Sequence, residues 1–323
     1  MSTLLSYCTR RWIRDMTYDI LKNCILCPRR CGADRTKARG RCGAGALAEV
    51  ALMQLHKFEE PFLSGTDAAL TAAANTGGSG TVFFRHCALG CVYCQNHRIS
   101  VSETGEGLCA DALAEVFLNA QKAGAFNVNM VTPTHYTPHI VEAVGLARKK
   151  GLSVPIVWNT SGYEEVETVK SLHGTVDIYL TDYKYKDTAL AARYSNAPDY
   201  HEKAALALAE MVRQTGAPRY DGRGMMTGGT GVRHLTLPGA LYDSKAILSD
   251  LHARYGNSIV YSIMNQYTPM PHINKAAFPE LARTVSQRHY AALVAHARGL
   301  GIENAVVQEG GTQSESFIPD FSR

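Results

Sequence analysis

Between residues 81 and 300, six short runs rich in β-branched and aromatic residues are each followed by a stretch with helical apolar spacing. The runs are 81–84, 126–131, 154–158, 176–180, 232–237 and 259–264, and the helical stretches are 111–123, 138–150, 164–172, 201–214, 244–255 and 286–300. Strands that alternate with helices at similar intervals read as a parallel sheet covered by its crossover helices. Eight units would close a full barrel. Six predict an α/β fold built on a partial, open (βα)6 TIM-like barrel. A doubly wound open sheet is the alternative.

The first run leads straight into Phe84-Arg-His-Cys-Ala-Leu-Gly-Cys-Val-Tyr-Cys-Gln-Asn-His97. Cys87, Cys91 and Cys94 are spaced C-x3-C-x2-C, with no fourth cysteine nearby. Closely spaced thiolates on a short loop suit an iron–sulfur cluster, and three of them on a four-iron cluster leave one iron open to a small molecule. A zinc site completed by His86 or His97, or three buried structural cysteines, are the competing readings. A second group, Cys24, Cys27, Cys31 and Cys42, places four soft ligands among turn-forming glycines. There a structural zinc ion is expected first, an auxiliary iron–sulfur cluster second, and unligated thiols last. The surrounding Arg29, Arg30, Arg35, Lys37, Arg39 and Arg41 read as a solvated face that also lowers thiolate pKa values. Cys8 and Cys109 read as ordinary small hydrophobes.

With 323 residues and 46% hydrophobic content, the chain can bury a large core. Three parts are expected: a cysteine-rich N-terminal segment (1–75), the barrel (76–309) and a C-terminal tail (310–323). Charge is nearly balanced, 33 basic against 29 acidic side chains, which argues against nucleic acid or an anionic membrane as partner. Seven of the nine cysteines fall in the two groups, a pattern of metal binding in a reducing compartment. No leader-like apolar region follows the first basic residues, and no apolar run approaches the roughly 18 residues that span a bilayer. A cytoplasmic protein is the expectation.

Ligands in parallel α/β folds gather at the carboxyl ends of the strands. Here those ends carry Thr132-Pro-Thr-His135, Asn159-Thr-Ser-Gly-Tyr163, Thr181-Asp-Tyr-Lys184, Pro238-Gly239 and Asn265-Gln-Tyr267, besides the cysteine loop. One shared polar pocket is expected. His135 and His234 are read as hydrogen-bonded structural histidines.

Taken with Cys27-Pro-Arg-Arg-Cys-Gly32, Glu59-Glu-Pro-Phe-Leu-Ser-Gly65, Gly78-Ser-Gly-Thr81, Arg233-His-Leu-Thr-Leu-Pro-Gly239 and Asn265-Gln-Tyr-Thr-Pro269, these motifs resemble one enzyme group. It is the pyruvate formate-lyase-activating-enzyme-like branch of the radical S-adenosylmethionine superfamily, in the form with an N-terminal cysteine segment. The resemblance implies a [4Fe-4S] cluster on Cys87, Cys91 and Cys94, and reductive cleavage of S-adenosylmethionine to a 5′-deoxyadenosyl radical that takes hydrogen from a substrate. It implies cofactor contacts at Tyr93, Asn96, Asn159, Ser161, Asp182, Lys184 and Arg233. It also implies a reductant such as flavodoxin or ferredoxin, and a substrate that is a glycyl radical enzyme, another protein or a small molecule. One departure stands out. The family's Gly-Gly-Glu after the second strand is here Thr132-Pro-Thr-His135, so Thr132 and Thr134 become the candidates to meet the methionine end. A non-catalytic cluster- or zinc-binding protein is the alternative from another class.

Overall fold

The computed structural model describes residues 18–65, 77–101 and 107–308. Among these residues one sheet holds β1 (Ala48–His56), β2 (Ser79–Phe84), β3 (Gly107–Leu108), β4 (Asn127–Val131), β5 (Ile156–Thr160), β6 (Ile178–Asp182), β7 (Arg219–Tyr220), β8 (Met226–Leu235), β9 (Val260–Met264) and β10 (Ala305–Val307). The helices are α1 (Asp19–Lys22), α2 (Pro61–Ser64), α3 (His97–Ser100), α4 (Ala110–Lys122), α5 (Thr137–Lys149), α6 (Val166–Ser171), α7 (Thr188–Ser195), α8 (Tyr200–Thr215), α9 (Leu241–Tyr255) and α10 (Gln287–Gly299).

Strands β2, β4, β5, β6, β8, β9 and β10 are parallel and lie side by side in that order. Order along the sheet follows order along the chain, without the reversal that a doubly wound sheet needs at its switch point. The architecture is the expected partial barrel. All six strand–helix units are present. The fifth strand starts earlier than its apolar pattern suggests, because the glycines of Met226-Thr-Gly-Gly-Thr-Gly231 hide it.

Two elements escape the 2- and 3.6-residue patterns. Strand β1 pairs antiparallel with β2, with Met53 opposite Val82 and Gln54 opposite Thr81, so part of the N-terminal segment extends the sheet. Helix α7 fills the link between β6 and α8, its start capped by the Asp187 carboxylate accepting from Leu190 N–H.

The barrel's inner face is apolar at the bottom and polar at the top. Val157, Ile178, Leu180, Met226 and Val260 pack there around Phe62 and Leu63 of α2. A side chain at Gly231 would meet the Phe62 ring at 3.2 Å, so the glycine makes room for this plug. Asn159, Asp182 and Arg233 lie two residues beyond Val157, Leu180 and Gly231 on β5, β6 and β8 and so continue that face toward the carboxyl ends. On the outer face Val128, Met130, Ile156 and Trp158 pack under α4 and α5, and Val232, Tyr261 and Ile263 under α9 and α10. Burial of such apolar surface, at about 25 cal/mol per Å², is the main force that holds the helices to the sheet.

Candidate active site

The carboxyl ends of the strands open into a cavity of about 1060 Å³. Cys87, Cys91, Cys94, Tyr93, Asn96, Thr132, Asn159, Ser161, Asp182, Lys184 and Arg233 all line it. So does Cys42 of the N-terminal group, whereas Cys24, Cys27 and Cys31 lie away from it.

Arg233 organises the polar floor. Its Nε donates to Asp182 Oδ1 at 3.0 Å, one Nη to Glu59 Oε1 at 3.0 Å and the other to Asn159 Oδ1 at 2.6 Å. Lys184 Nζ donates to Asp182 Oδ2 at 2.6 Å, and the Asn129 and Asn159 amides donate to Glu59 Oε2 at 2.9 and 3.2 Å. Two cations therefore meet two carboxylates. Burial alone would raise the Asp182 pKa, but the charges of Lys184 and Arg233 overcome it and hold the carboxyl below its ordinary value. Next to this group Glu60 is buried, and burial pushes its carboxyl up to about 7 despite Arg233 and the Ser262 hydroxyl, which donates to it at 2.7 Å.

Glu59 had no role assigned to it from sequence. Its signal was present in Glu59-Glu60-Pro61, two adjacent carboxylates ahead of the α2 plug, with no periodicity to say which would face the cavity. His272 also reaches the cavity wall, its ring stacked on His97 at 4.0 Å between centroids. No sequence pattern marks it.

The cysteine loop closes one wall. The Ser195 hydroxyl donates to Cys91 Sγ at 3.1 Å, the Ser100 hydroxyl lies 3.5 Å from Cys94 Sγ, and backbone N–H groups of Gly90 and Leu89 serve Cys87. Burial pushes the bare Cys87 thiol up to about 12, with Cys94 and Cys91 adding to the rise, so loading a metal there must displace a proton. Lys184 supplies a cation beside Cys91 and Cys94. Among the described residues no three His, Cys, Asp or Glu donors converge on one ion. In a four-iron cluster three thiolates each take their own iron. The donor set, with hydrogen bonds to its sulfurs, fits the cluster. Cys24, Cys27, Cys31 and Cys42 lie near enough to one another for each to feel its neighbours' charge.

Tyr93 is buried behind the loop, its hydroxyl 2.6 Å from that of Tyr185 and its ring edge-on to Tyr185, Tyr194 and Tyr267. Thr132 has a left-handed backbone with φ of 59°, a strained setting for a β-branched residue, and its N–H donates to Asn159 O at 2.9 Å. Thr134 is a correction to the sequence reading. Its hydroxyl donates to Glu164 Oε1 at 2.6 Å on the buried side of the loop, and it does not line the cavity. Glu164 also accepts from the Thr160 hydroxyl and from Trp158 Nε1.

The basic run is solvated as expected at Arg30, Lys37, Arg39 and Arg41, and corrected at Arg29 and Arg35. Arg35 is only 2% exposed, its guanidinium donating to Gly45 O and His135 O and lying over Tyr136. Arg39 bridges the Glu49 carboxylate at 2.8 Å, and Glu49 in turn lies 3.1 Å from His86 Nε2. Arg35, with Arg29, docks the N-terminal segment onto the barrel. Cys109 is disulfide-bonded rather than a lone thiol. Cys8 and the tail lie outside the described residues.

Both singled-out histidines are structural in their contacts. His234 Nδ1 donates to Tyr183 O at 2.8 Å while Nε2 accepts from the Ser244 hydroxyl at 2.9 Å, and burial holds its pKa down at about 4. His135 Nε2 donates to Arg85 O at 2.8 Å, and burial holds it at about 3. Neither lines the cavity.

With this geometry in hand, the chain can be set beside known proteins. No protein-family model matches it. It is 26% identical, over 79% of its length and 69% of the relative's, to an uncharacterized protein of Methanocaldococcus jannaschii. Among solved structures it is similar to a radical SAM methyltransferase from Sphaerobacter thermophilus, with a TM-score of 0.50 and 16% identity over 72% of this chain and 67% of that one. A domain of pyruvate-formate lyase-activating enzyme from Bacteroides vulgatus matches at a TM-score of 0.37 and 11% identity, covering 54% of this chain and 92% of that one. SuiB of Streptococcus suis, bound to its precursor peptide SuiA, matches at 0.46 and 10%, covering 69% and 46%. At this identity the likeness to the Sphaerobacter methyltransferase is one of fold, a partial barrel that the two chains share.

Proposed function

We propose that this protein is a radical S-adenosylmethionine enzyme of the activating-enzyme-like type. One observation carries the reading: a loop of three thiols and the polar ends of β5, β6 and β8 line one cavity. Its volume of about 1060 Å³ lies at the upper end of the roughly 300–1,000 Å³ of ligand pockets. Cys87, Cys91 and Cys94 would hold a [4Fe-4S] cluster. Held there, such a cluster would supply the one-electron reduction by which S-adenosylmethionine is cleaved and hydrogen taken from a substrate.

The chain's own residues bind, orient and exclude water. Asn159, Asp182, Lys184 and Arg233, with Glu59, present fixed donors and acceptors to a zwitterionic ligand, so no reorganisation is needed when charge shifts. Tyr93 and its neighbouring tyrosines seal the back of the loop. The finer reading is a protein or peptide substrate, since the rim carries two strongly exposed apolar side chains, Phe58 at 72% and Val101 at 59%. A flavodoxin or ferredoxin would serve as reductant in the cytoplasm. Among the described residues no helix is long and apolar enough to cross a membrane.

Anaerobic reconstitution tests the proposal. The protein should gain broad visible absorption and, once reduced, release 5′-deoxyadenosine from S-adenosylmethionine. Cys91→Ala should abolish cleavage with the fold intact. Cleavage retained in that variant would end the assignment.

A further inference from the structure

Arg29 lies between Cys27 and Cys31, yet its side chain makes its hydrogen bonds outside the N-terminal segment. Nε donates to Ala88 O at 3.1 Å and Nη2 to Leu89 O at 3.2 Å, both within the loop between Cys87 and Cys91. The same fork reaches Ser195 O at 2.8 Å and Asn196 O, at the end of α7. Its guanidinium also lies 5.1 Å from the centre of the Tyr163 ring. The loop and the helix end are tied to each other as well. Val92 N–H donates to Tyr194 O at 2.9 Å, and Ser195 is the residue whose hydroxyl meets Cys91 Sγ.

We infer that Arg29 is a positioning residue for the cysteine loop, through which the N-terminal cysteine segment holds Cys87 and Cys91 against the end of α7. Only a rigid fork of several N–H donors reaches four carbonyls at once; a lysine ammonium cannot match that geometry. The carbonyls at the end of α7 are the negative pole of that helix, and a guanidinium suits them. Because these acceptors are all uncharged, the hydrogen bonds leave a positive charge next to the site of the cluster. The N-terminal group is thereby built into the proposed active site, although three of its four cysteines lie away from the cavity. This inference rests on the radical-enzyme reading only for what the loop carries.

The test uses the full-length protein as wild type, Arg29→Lys and Arg29→Gln. Hydrogen exchange is measured first on metal-free protein. Both variants should exchange the amides of residues 88–94 about tenfold faster or more, with β4 and β5 unchanged. The second readout is the midpoint potential after anaerobic reconstitution. Arg29→Gln should fall below Arg29→Lys, because only the latter keeps a cation beside the cluster. Unchanged loop exchange in both variants would overturn the inference, as would loss of protection spread evenly over the sheet. Should the wild type bind no cluster, the radical reading fails, while the exchange experiment still decides the role of Arg29.

Discussion

A Thr134→Val substitution removes one hydroxyl while keeping the side chain's shape, and the structure predicts where its cost falls. The hydroxyl donates to Glu164 Oε1 at 2.6 Å, and Glu164 is fully buried at 0% exposure. Burial pushes that carboxyl up to about 7, against the pull of the Thr134, Thr160 and Trp158 donors. The folded pKa is thus raised above the unfolded value near 4.5. The folded state keeps its proton longer, so this contribution to stability is complete below the unfolded value and is lost as pH rises through about 7. At pH 5 the valine deletes a bond to a neutral acid, with a net effect of about 1 kcal/mol. At pH 8 it deletes a bond to a carboxylate, about 1.5–3 kcal/mol. Denaturant unfolding at both pH values should show this growth, while affinity for S-adenosylmethionine stays within about twofold. A loss that is equal at the two pH values would refute the assignment to Glu164. A tenfold drop in affinity with unchanged stability would place Thr134 on the ligand instead.

Two further outcomes follow from the same contacts. Arg233→Met leaves Glu59 and Asp182 facing Lys184 alone in a partly buried site; unfolding should show a loss of about 3 kcal/mol, with cofactor affinity at least tenfold weaker and cluster absorption retained. Near-wild-type values would mean that the network is not needed. A variant lacking Cys87, Cys91 and Cys94 isolates the N-terminal group. Its four cysteines lie near one another, so metal analysis after reconstitution should find about one zinc and no iron, and about four irons would reject that reading.

The barrel was legible because its strands and helices alternate at regular intervals, and strand order then follows from short connections. Strand β1 was not, since its pairing with β2 is antiparallel and its burial mostly partial, so Ala48–His56 shows neither a buried run nor clean alternation. The cavity walls were legible at Asn159, Asp182, Lys184 and Arg233 because each sits at or near the end of a parallel strand. Thr134 sits at such an end too, but the turn through Thr132 and Pro133 aims it inward at Glu164. Arg29 and Arg35 were misread for a physical reason. A sequence displays their charge but not the carbonyls that accept from them, and Arg35 meets His135 from a hundred residues away.

The strand order has one more consequence, for how the molecule is assembled. Because each parallel strand docks on the one made before it, the sheet can grow in the order of synthesis, one unit at a time. The polar floor cannot. Arg233 and Glu59 are separated by 174 residues, and Ser262 and Glu60 by 202. Glu59 and Glu60 must therefore wait, without their cationic and hydroxyl partners, until β8 and then β9 arrive. The polar floor of the proposed cofactor pocket is therefore complete only after β9 is in place, and a ligand that binds it rewards assembly of the sheet from β2 through β9.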